Sequence, residues 1–211
     1  MKQSTLFAIE EHAAPTTTEE TWCADDWETP PEVAAAMASL ITDDEERIIE
    51  PSAGRGAIAR LLPADRSVTC IEINPLRHMV GAAPHQEWLC TDFISYAKRD
   101  AYGFGADLII GNPPFSLGME FLSAAASILK ADGRILFLLP TEFFQATCRA
   151  QPFKESGLVI SHQWQIAGRV AFVKEGVVHK GRQCSDSIFE FKHASAAAAA
   201  IELIDPYGRL K

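Results

Sequence analysis

The sequence predicts an α/β fold: a mostly parallel, doubly wound sheet with helices on both faces and an antiparallel hairpin at one edge. Three observations lead there. Short apolar runs alternate with helix-like stretches from Arg47 onward, the pattern of successive strand, helix, strand units. The runs Arg47–Glu50, Ser67–Ile71, Ala106–Ile110 and Arg134–Leu139 are short and mainly apolar, as expected of strands covered on both faces. Beyond Thr141, Leu158–Gln165 and Ser185–Lys192 read as strands joined by a basic loop instead of a helix, which fits an antiparallel pair.

In chain order, Arg47–Glu50 opens the sheet and Ala57–Leu62 is expected as the first crossover helix. Ser67–Ile71, the helix Pro75–Val80 and the strand Glu87–Cys90 follow, then Ala106–Ile110, the helix Met119–Lys130 and Arg134–Leu139. Upstream, Trp27-Glu28-Thr29-Pro30-Pro31-Glu32-Val33 has the features of a helix start. Thr29 as cap, Pro30 in the first turn and Glu32 three residues on compose a capping box. Residues 1–22 show no apolar period and read as a flexible acidic arm. Residues 194–211 are an Ala-rich tail with no visible chemistry, which leaves 23–193 as the folded domain.

A chain of 211 residues with 47% hydrophobic content can bury one substantial core. No apolar stretch reaches the roughly 18 residues of a membrane span, and the N-terminus lacks the apolar segment of a secretory signal, so a soluble, cytoplasmic protein is expected. The five cysteines, Cys23, Cys70, Cys90, Cys148 and Cys184, are scattered, with no CxxC pair. A disulfide framework and a metal site are therefore not expected. The net charge of -9 argues against a polyanionic partner until its distribution is read. Residues 1–50 carry 2 basic and 13 acidic side chains, whereas 149–184 carry Arg149, Lys154, Arg169, Lys174, Lys180 and Arg182 against Glu155 and Glu175. That second segment is the candidate face for a nucleic acid.

In a doubly wound sheet, ligands bind at the carboxyl ends of the strands. The first strand ends in Glu50-Pro51-Ser52-Ala53-Gly54-Arg55-Gly56, where glycines let the backbone turn sharply and approach a ligand. The second ends in Glu72-Ile73, some sixteen residues past that loop, where a carboxylate can accept hydrogen bonds from two ribose hydroxyls. Asp92, followed by Phe93, ends the third. It can take an adenine amino group or cap the following helix.

The fourth strand ends in Asn112-Pro113-Pro114-Phe115. Two prolines stiffen the backbone and remove two donors, leaving a turn that presents the Asn112 side-chain oxygen and the Pro113 carbonyl as acceptors beside an aromatic ring. An exocyclic amine on a purine or pyrimidine is a poor nucleophile because its lone pair is delocalised into the ring. Two acceptors on its hydrogens localise that pair, and stacking aims it at a methyl donor.

With these motifs in this order, residues 27–191 resemble the S-adenosylmethionine-dependent amino-methyltransferases, in particular the small DNA adenine-N6 methyltransferases. The resemblance implies a Rossmann-like, seven-stranded class I methyltransferase sheet. It implies that Glu50, Pro51, Ser52, Ala53, Gly54 and Gly56 hold the methionine part of the cofactor, with Trp27, Thr29 and Pro30 gripping it from upstream. Glu72 and Ile73 would take the ribose, Asp92 and Phe93 the adenine, and Asn112, bordering the cofactor, would share the catalytic role with Pro113, Pro114 and Phe115. Arg169, Phe172, Lys174, Lys180, Arg182 and Asp186 fall where the family holds the substrate base. S-adenosylhomocysteine would be the product, with no metal required.

The chain departs from the family in having no separate target-recognition domain: 19 residues separate Asp92 from Asn112 and 19 follow Lys192. Recognition then falls to the basic segment, to a homodimer or specificity subunit, or to a short, permissive target. DNA is the expected substrate, single-stranded or as a duplex with the base flipped out, and Asn112 rather than Ser favours adenine N6 over cytosine N4. RNA base methylation (guanine N2 or adenine N6) and a non-catalytic, cofactor-binding partner subunit are the alternatives.

Overall fold

In the computed structural model, residues 27–78, 80, 82–100, 105–174, 177–179 and 185–196 are described. Lys180, Arg182, the acidic arm 1–22 and nearly all of the Ala-rich tail lie outside them.

Seven strands form one sheet: β1 (Arg47–Glu50), β2 (Ser67–Glu72), β3 (Gln86–Cys90), β4 (Ala106–Gly111), β5 (Leu129–Pro140), β6 (Leu158–Gln165) and β9 (Asp186–His193), in the order β3-β2-β1-β4-β5-β9-β6. β3, β2, β1, β4 and β5 are parallel, and β9 runs antiparallel to both β5 and β6. Two short strands, β7 (Val173–Lys174) and β8 (Val177–Val178), form a separate antiparallel hairpin. The expected antiparallel pair is present, and the later strand is the inner one. Six consecutive buried residues of β9 contrast with the mixed burial of β6, as an inner and an edge position require.

Among the described residues, four α-helices pack on the sheet: α1 (Pro31–Ala38), α2 (Phe93–Asp100), α3 (Gly118–Ser127) and α4 (Thr147–Glu155). One core, around Phe93, Phe121, Phe137 and Phe189, fills the face covered by α2, α3 and α4. The other joins α1 to Ile48, Leu108, Leu136 and Ile188, and takes in Val170 and Phe172 from the segment after β6.

Three expected helices come out differently. Ala57–Leu62 reduces to a single 3-10 turn at Ala59–Leu61, ended by Leu62 in extended conformation before Pro63. The described residues of Pro75–Val80 lie in turns: Arg77 N–H and His78 N–H donate to the Asn74 carbonyl, and Leu76 and Val80 stay 83% and 51% exposed, so these apolar side chains hold no helix on the sheet. The helix expected at Met119–Lys130 runs from Gly118 to Ser127, because Leu129 already pairs with Ala106. The capping box at Thr29 is also absent. Pro30 is the N-cap of α1, with no side-chain cap bond.

At the edge of the sheet away from the strand carboxyl ends, Arg134 ties the pieces together. Its guanidinium donates to Glu45 (Nε to Oε1, 2.6 Å), Glu190 (Nη1 to Oε2, 2.8 Å) and the Leu40 carbonyl (Nη2, 2.5 Å). The chain leaving α1 is thereby pinned to β5 and β9. Just before it, β5 bulges: Ala106 pairs with Leu129 and Leu108 already with Arg134. At Gly133 within this bulge, a Cβ would lie 2.8 Å from the Ala106 carbonyl oxygen and 3.0 Å from that of Asp107. Backbone oxygens cannot turn aside, so Gly133→Ala should destabilise the protein by about 1–3 kcal/mol, the usual range for overpacking. Urea unfolding checks this, and an unchanged midpoint would show that the bulge relaxes freely.

Candidate active site

The parallel register aligns the strand ends: Glu50 pairs with Cys70, Glu72 with Cys90, and Gly111 with Phe137. The loops after β1, β2, β3 and β4, which hold most of the motif residues, therefore leave one edge of the sheet together. Gly111 permits a close approach there, since a Cβ would meet the Pro51 ring at 3.1 Å.

Two carboxylates lie buried at this edge. Glu72 accepts from Gly54 N–H (Oε2, 2.7 Å) and Asn74 N–H (Oε1, 2.7 Å). Burial raises its pKa above the ordinary glutamate value, and those N–H bonds oppose the rise. Glu50 is 2% exposed, and its Oε2 has no hydrogen-bond partner among the described residues. Burial first, and then the neighbouring Glu72, hold its carboxyl well above the usual range. Gly54 (φ +56°) and Gly56 (φ +79°) carry the loop through left-handed backbone, and open space lies where a Gly54 Cβ would point. Ala53 N–H donates to the Ile71 carbonyl, which fastens the loop to β2.

Asn112 is held from two sides. Ser52 Oγ donates to its backbone carbonyl at 3.1 Å. Its side-chain Nδ2 faces Thr29 Oγ1 at 3.2 Å and the Trp27 carbonyl at 3.5 Å, while Oδ1 is buried without a partner among the described residues. The hydroxyl expected to cap α1 thus faces the Asn112 amide, which explains the missing capping box. Phe115 is half-buried, edge-on to Phe172 with ring centroids 6.1 Å apart.

Residues 27–29 link Asn112, the loop after β1 and the segment around Val173. Glu28 and Val173 exchange backbone hydrogen bonds (2.8 and 3.3 Å), and the Glu28 carboxylate pairs with Arg55 at 2.9 Å. The Trp27 ring lies edge-on to His179 (5.1 Å) and Phe172 (6.5 Å), with Lys174 Nζ 5.5 Å from its centre, within cation–π range. Glu28 and His179 carried no motif signal. Their roles depend on pairing the segment before α1 with one more than 140 residues later, which local sequence does not encode.

Other motif residues are placed as follows. Asp92 Oδ2 accepts from Ser95 N–H at 2.8 Å, the cap of α2. The Phe93 ring faces the core, 5.2 Å from Phe121, and Ile73 is half-buried beside Glu72. Arg169 is exposed, whereas Phe172 and Asp186 are 1% exposed, so neither offers a surface to a base in this conformation. Of the basic segment, Arg169 is exposed and Lys174 is half-buried beside the Trp27 ring, which also packs on Phe172.

No protein-family model matches the sequence, and no curated protein matches it significantly. Solved structures do match. A protein from Pyrococcus horikoshii assigned as an RNA methyltransferase superposes with a TM-score of 0.63 at 17% identity, over 86% of this chain and 92% of that one. A Listeria monocytogenes protein assigned as a class I S-adenosylmethionine-dependent methyltransferase gives 0.60 at 12% identity, over 89% of this chain and 65% of the other. The chain has the class I methyltransferase fold. Magnesium protoporphyrin IX methyltransferase from Synechocystis, with S-adenosylmethionine bound, matches at 0.53 and 12% identity over 76% and 78% of the two chains, so the fold is shared by proteins named for different substrates.

The buried carboxyls generate a pH prediction. A glutamate whose folded pKa is raised favours folding most below its unfolded value of about 4.3 and loses that advantage as pH rises through the folded value. Glu50→Gln should therefore gain stability relative to the unmodified chain as pH increases from about 4.5 to 8. Urea midpoints across that range measure the gap, and a constant gap would mean that Glu50 ionises freely.

Proposed function

We propose that this chain transfers a methyl group from S-adenosylmethionine to the exocyclic amine of a nucleic-acid base, and specifically to adenine N6 in DNA. The observation that carries the reading is the buried oxygen of Asn112, without a partner among the described residues, at the carboxyl end of β4 on a turn stiffened by Pro113 and Pro114. A dry acceptor left unpaired costs free energy until a donor arrives, and an amino group is the donor it fits. Admitting the base has to displace a side chain from that oxygen, since it is shielded from solvent.

The residues at the sheet edge fit the cofactor. The orphaned Glu50 oxygen and its reluctance to ionise suit a neighbouring cation such as the methionine ammonium. Open space beside Gly54 leaves room for the ligand. Glu72 keeps lone pairs for ribose hydroxyls beyond the two it commits to Gly54 and Asn74, and Asp92 has its second oxygen for the adenine amine. When bound, the sulfonium supplies an electrophilic methyl and departs as the thioether S-adenosylhomocysteine.

The chain's own contribution is then positional and electrostatic. Asn112 Oδ1 and the Pro113 carbonyl accept the two hydrogens of the target amine and concentrate its lone pair. The Phe115 ring supports the base plane. As the new N–C bond forms, the same two dipoles stabilise the positive charge on nitrogen, which loses a proton to solvent. Arg169 and Lys174 meet the phosphates. RNA is the second reading, favoured by the assignment of the Pyrococcus horikoshii neighbour. A non-catalytic partner subunit is opposed by the intact Asn112–Phe115 turn.

Nucleoside mass spectrometry on unmethylated DNA, and in parallel on RNA, incubated with the protein and S-adenosylmethionine tests the proposal. N6-methyladenine in DNA alone is the expected result, while a methylated base in RNA alone would select the second reading. Asn112→Ala should lower transfer at least about 100-fold, the cost of removing one preorganised transition-state contact, with cofactor affinity within a few-fold by calorimetry. Unchanged turnover would remove Asn112 from the mechanism. Asp92→Ala should instead weaken cofactor binding about tenfold or more. Normal binding, with only the loss of about 1 kcal/mol expected from a missing cap, would confine Asp92 to α2.

A further inference from the structure

An amide side chain offers a donor on one side and an acceptor on the other, and for Asn112 only the acceptor suits an amine. What decides which end faces the substrate is the segment before α1. The Trp27 carbonyl, 3.5 Å from Asn112 Nδ2, can only accept. Turning the amide over would bring Oδ1 against that carbonyl, acceptor against acceptor. Thr29 Oγ1, 3.2 Å from Nδ2, takes the nearer N–H. Pro30 and Pro31 carry no N–H, and Glu28 N–H is committed to Val173. The segment therefore presents acceptors to Asn112 and few competing donors. Its position is fixed by the Glu28–Val173 pairing and the Glu28–Arg55 ion pair, and Thr29 itself is 9% exposed.

The geometry assigns Thr29 as a positioning residue: its hydroxyl oxygen, with the Trp27 carbonyl, occupies the Asn112 NH2 group and so commits the amide oxygen to the substrate amine. The assignment rests on the methyl-transfer role proposed for Asn112. It separates Thr29 from a residue that merely caps α1 or borders the cofactor, because it acts through the orientation of another side chain.

The test compares Thr29→Val, which keeps the shape and removes the acceptor, with Thr29→Ser, which restores it. In the full-length, 15N-labelled protein, the Asn112 side-chain NH2 pair is identified by its disappearance in Asn112→Ala, and its hydrogen exchange is measured without substrate. Thr29→Val should speed that exchange at least about fivefold, and Thr29→Ser should stay within about twofold of the unmodified chain. At saturating S-adenosylmethionine, the single-turnover rate on an adenine-containing DNA oligonucleotide should fall about tenfold or more in Thr29→Val and recover in Thr29→Ser, while cofactor Kd changes less than about threefold. Unaltered exchange in Thr29→Val overturns the assignment. So does a rate loss that vanishes once cofactor is saturating, or an equal loss in both variants. Should Thr29→Val not fold, Thr29→Ala is read in the same way. If the unmodified chain methylates no DNA, the exchange measurement still decides the placement of Asn112, so failure of the function and failure of the positioning remain distinguishable.

Discussion

Parallel pairing of β1 with β2 and β4 is the constraint on which the site depends. A parallel ladder leaves every carboxyl end on the same side of the sheet, and here its register brings the residues after Glu50, Glu72 and Gly111 out at one edge. Three stretches far apart in the sequence become one surface. The antiparallel insertion of β9 between β5 and β6 extends the sheet without disturbing this edge, and Arg134 braces the opposite one.

Charge is distributed across that edge in a way that favours a cationic ligand. Glu50 and Glu72 are both buried, burial raises the pKa of each, Glu72 raises that of Glu50 further, and Glu72 is the better supplied with N–H donors. Two buried carboxylates are tolerable when one accepts a proton or a positive charge arrives. In the proposed reaction the second condition is met by the substrate of the loop itself. The raised pKa of both carboxyls makes their contribution to stability decline as pH rises.

Residues 27–29 convert that edge into a coupled unit. Through Glu28 they hold Arg55 of the loop after β1 and Val173 of the hairpin; through Thr29 and Trp27 they face Asn112. Asn112, the loop after β1 and the hairpin of β7 and β8 are thus joined through these three residues. Among the described residues no helix is long and apolar enough to cross a membrane, and no group of three or more His, Cys, Asp or Glu side chains is arranged to hold a metal ion.

By itself the sequence determined the strand-forming segments, since unbroken apolar runs such as Ala106–Ile110 have a stable place only inside a covered sheet, and it located the loops that follow them. Pro113 and Pro114 announce a rigid turn through covalent geometry alone, without reference to the rest of the fold. Crossover helices were less legible: Ala57–Leu62 buries Ile58, Ala59 and Leu62 yet closes after one 3-10 turn before Pro63, and Pro75–Val80 leaves Leu76 and Val80 exposed, so packing overrode preference. Tertiary structure alone decided that Thr29 faces Asn112 instead of capping α1, that Phe172 is buried beneath Trp27, and that β9 lies inside β6. Each of those outcomes turns on hydrogen bonds and contacts between residues far apart in the chain, whose energies exist only once the strands have chosen their order.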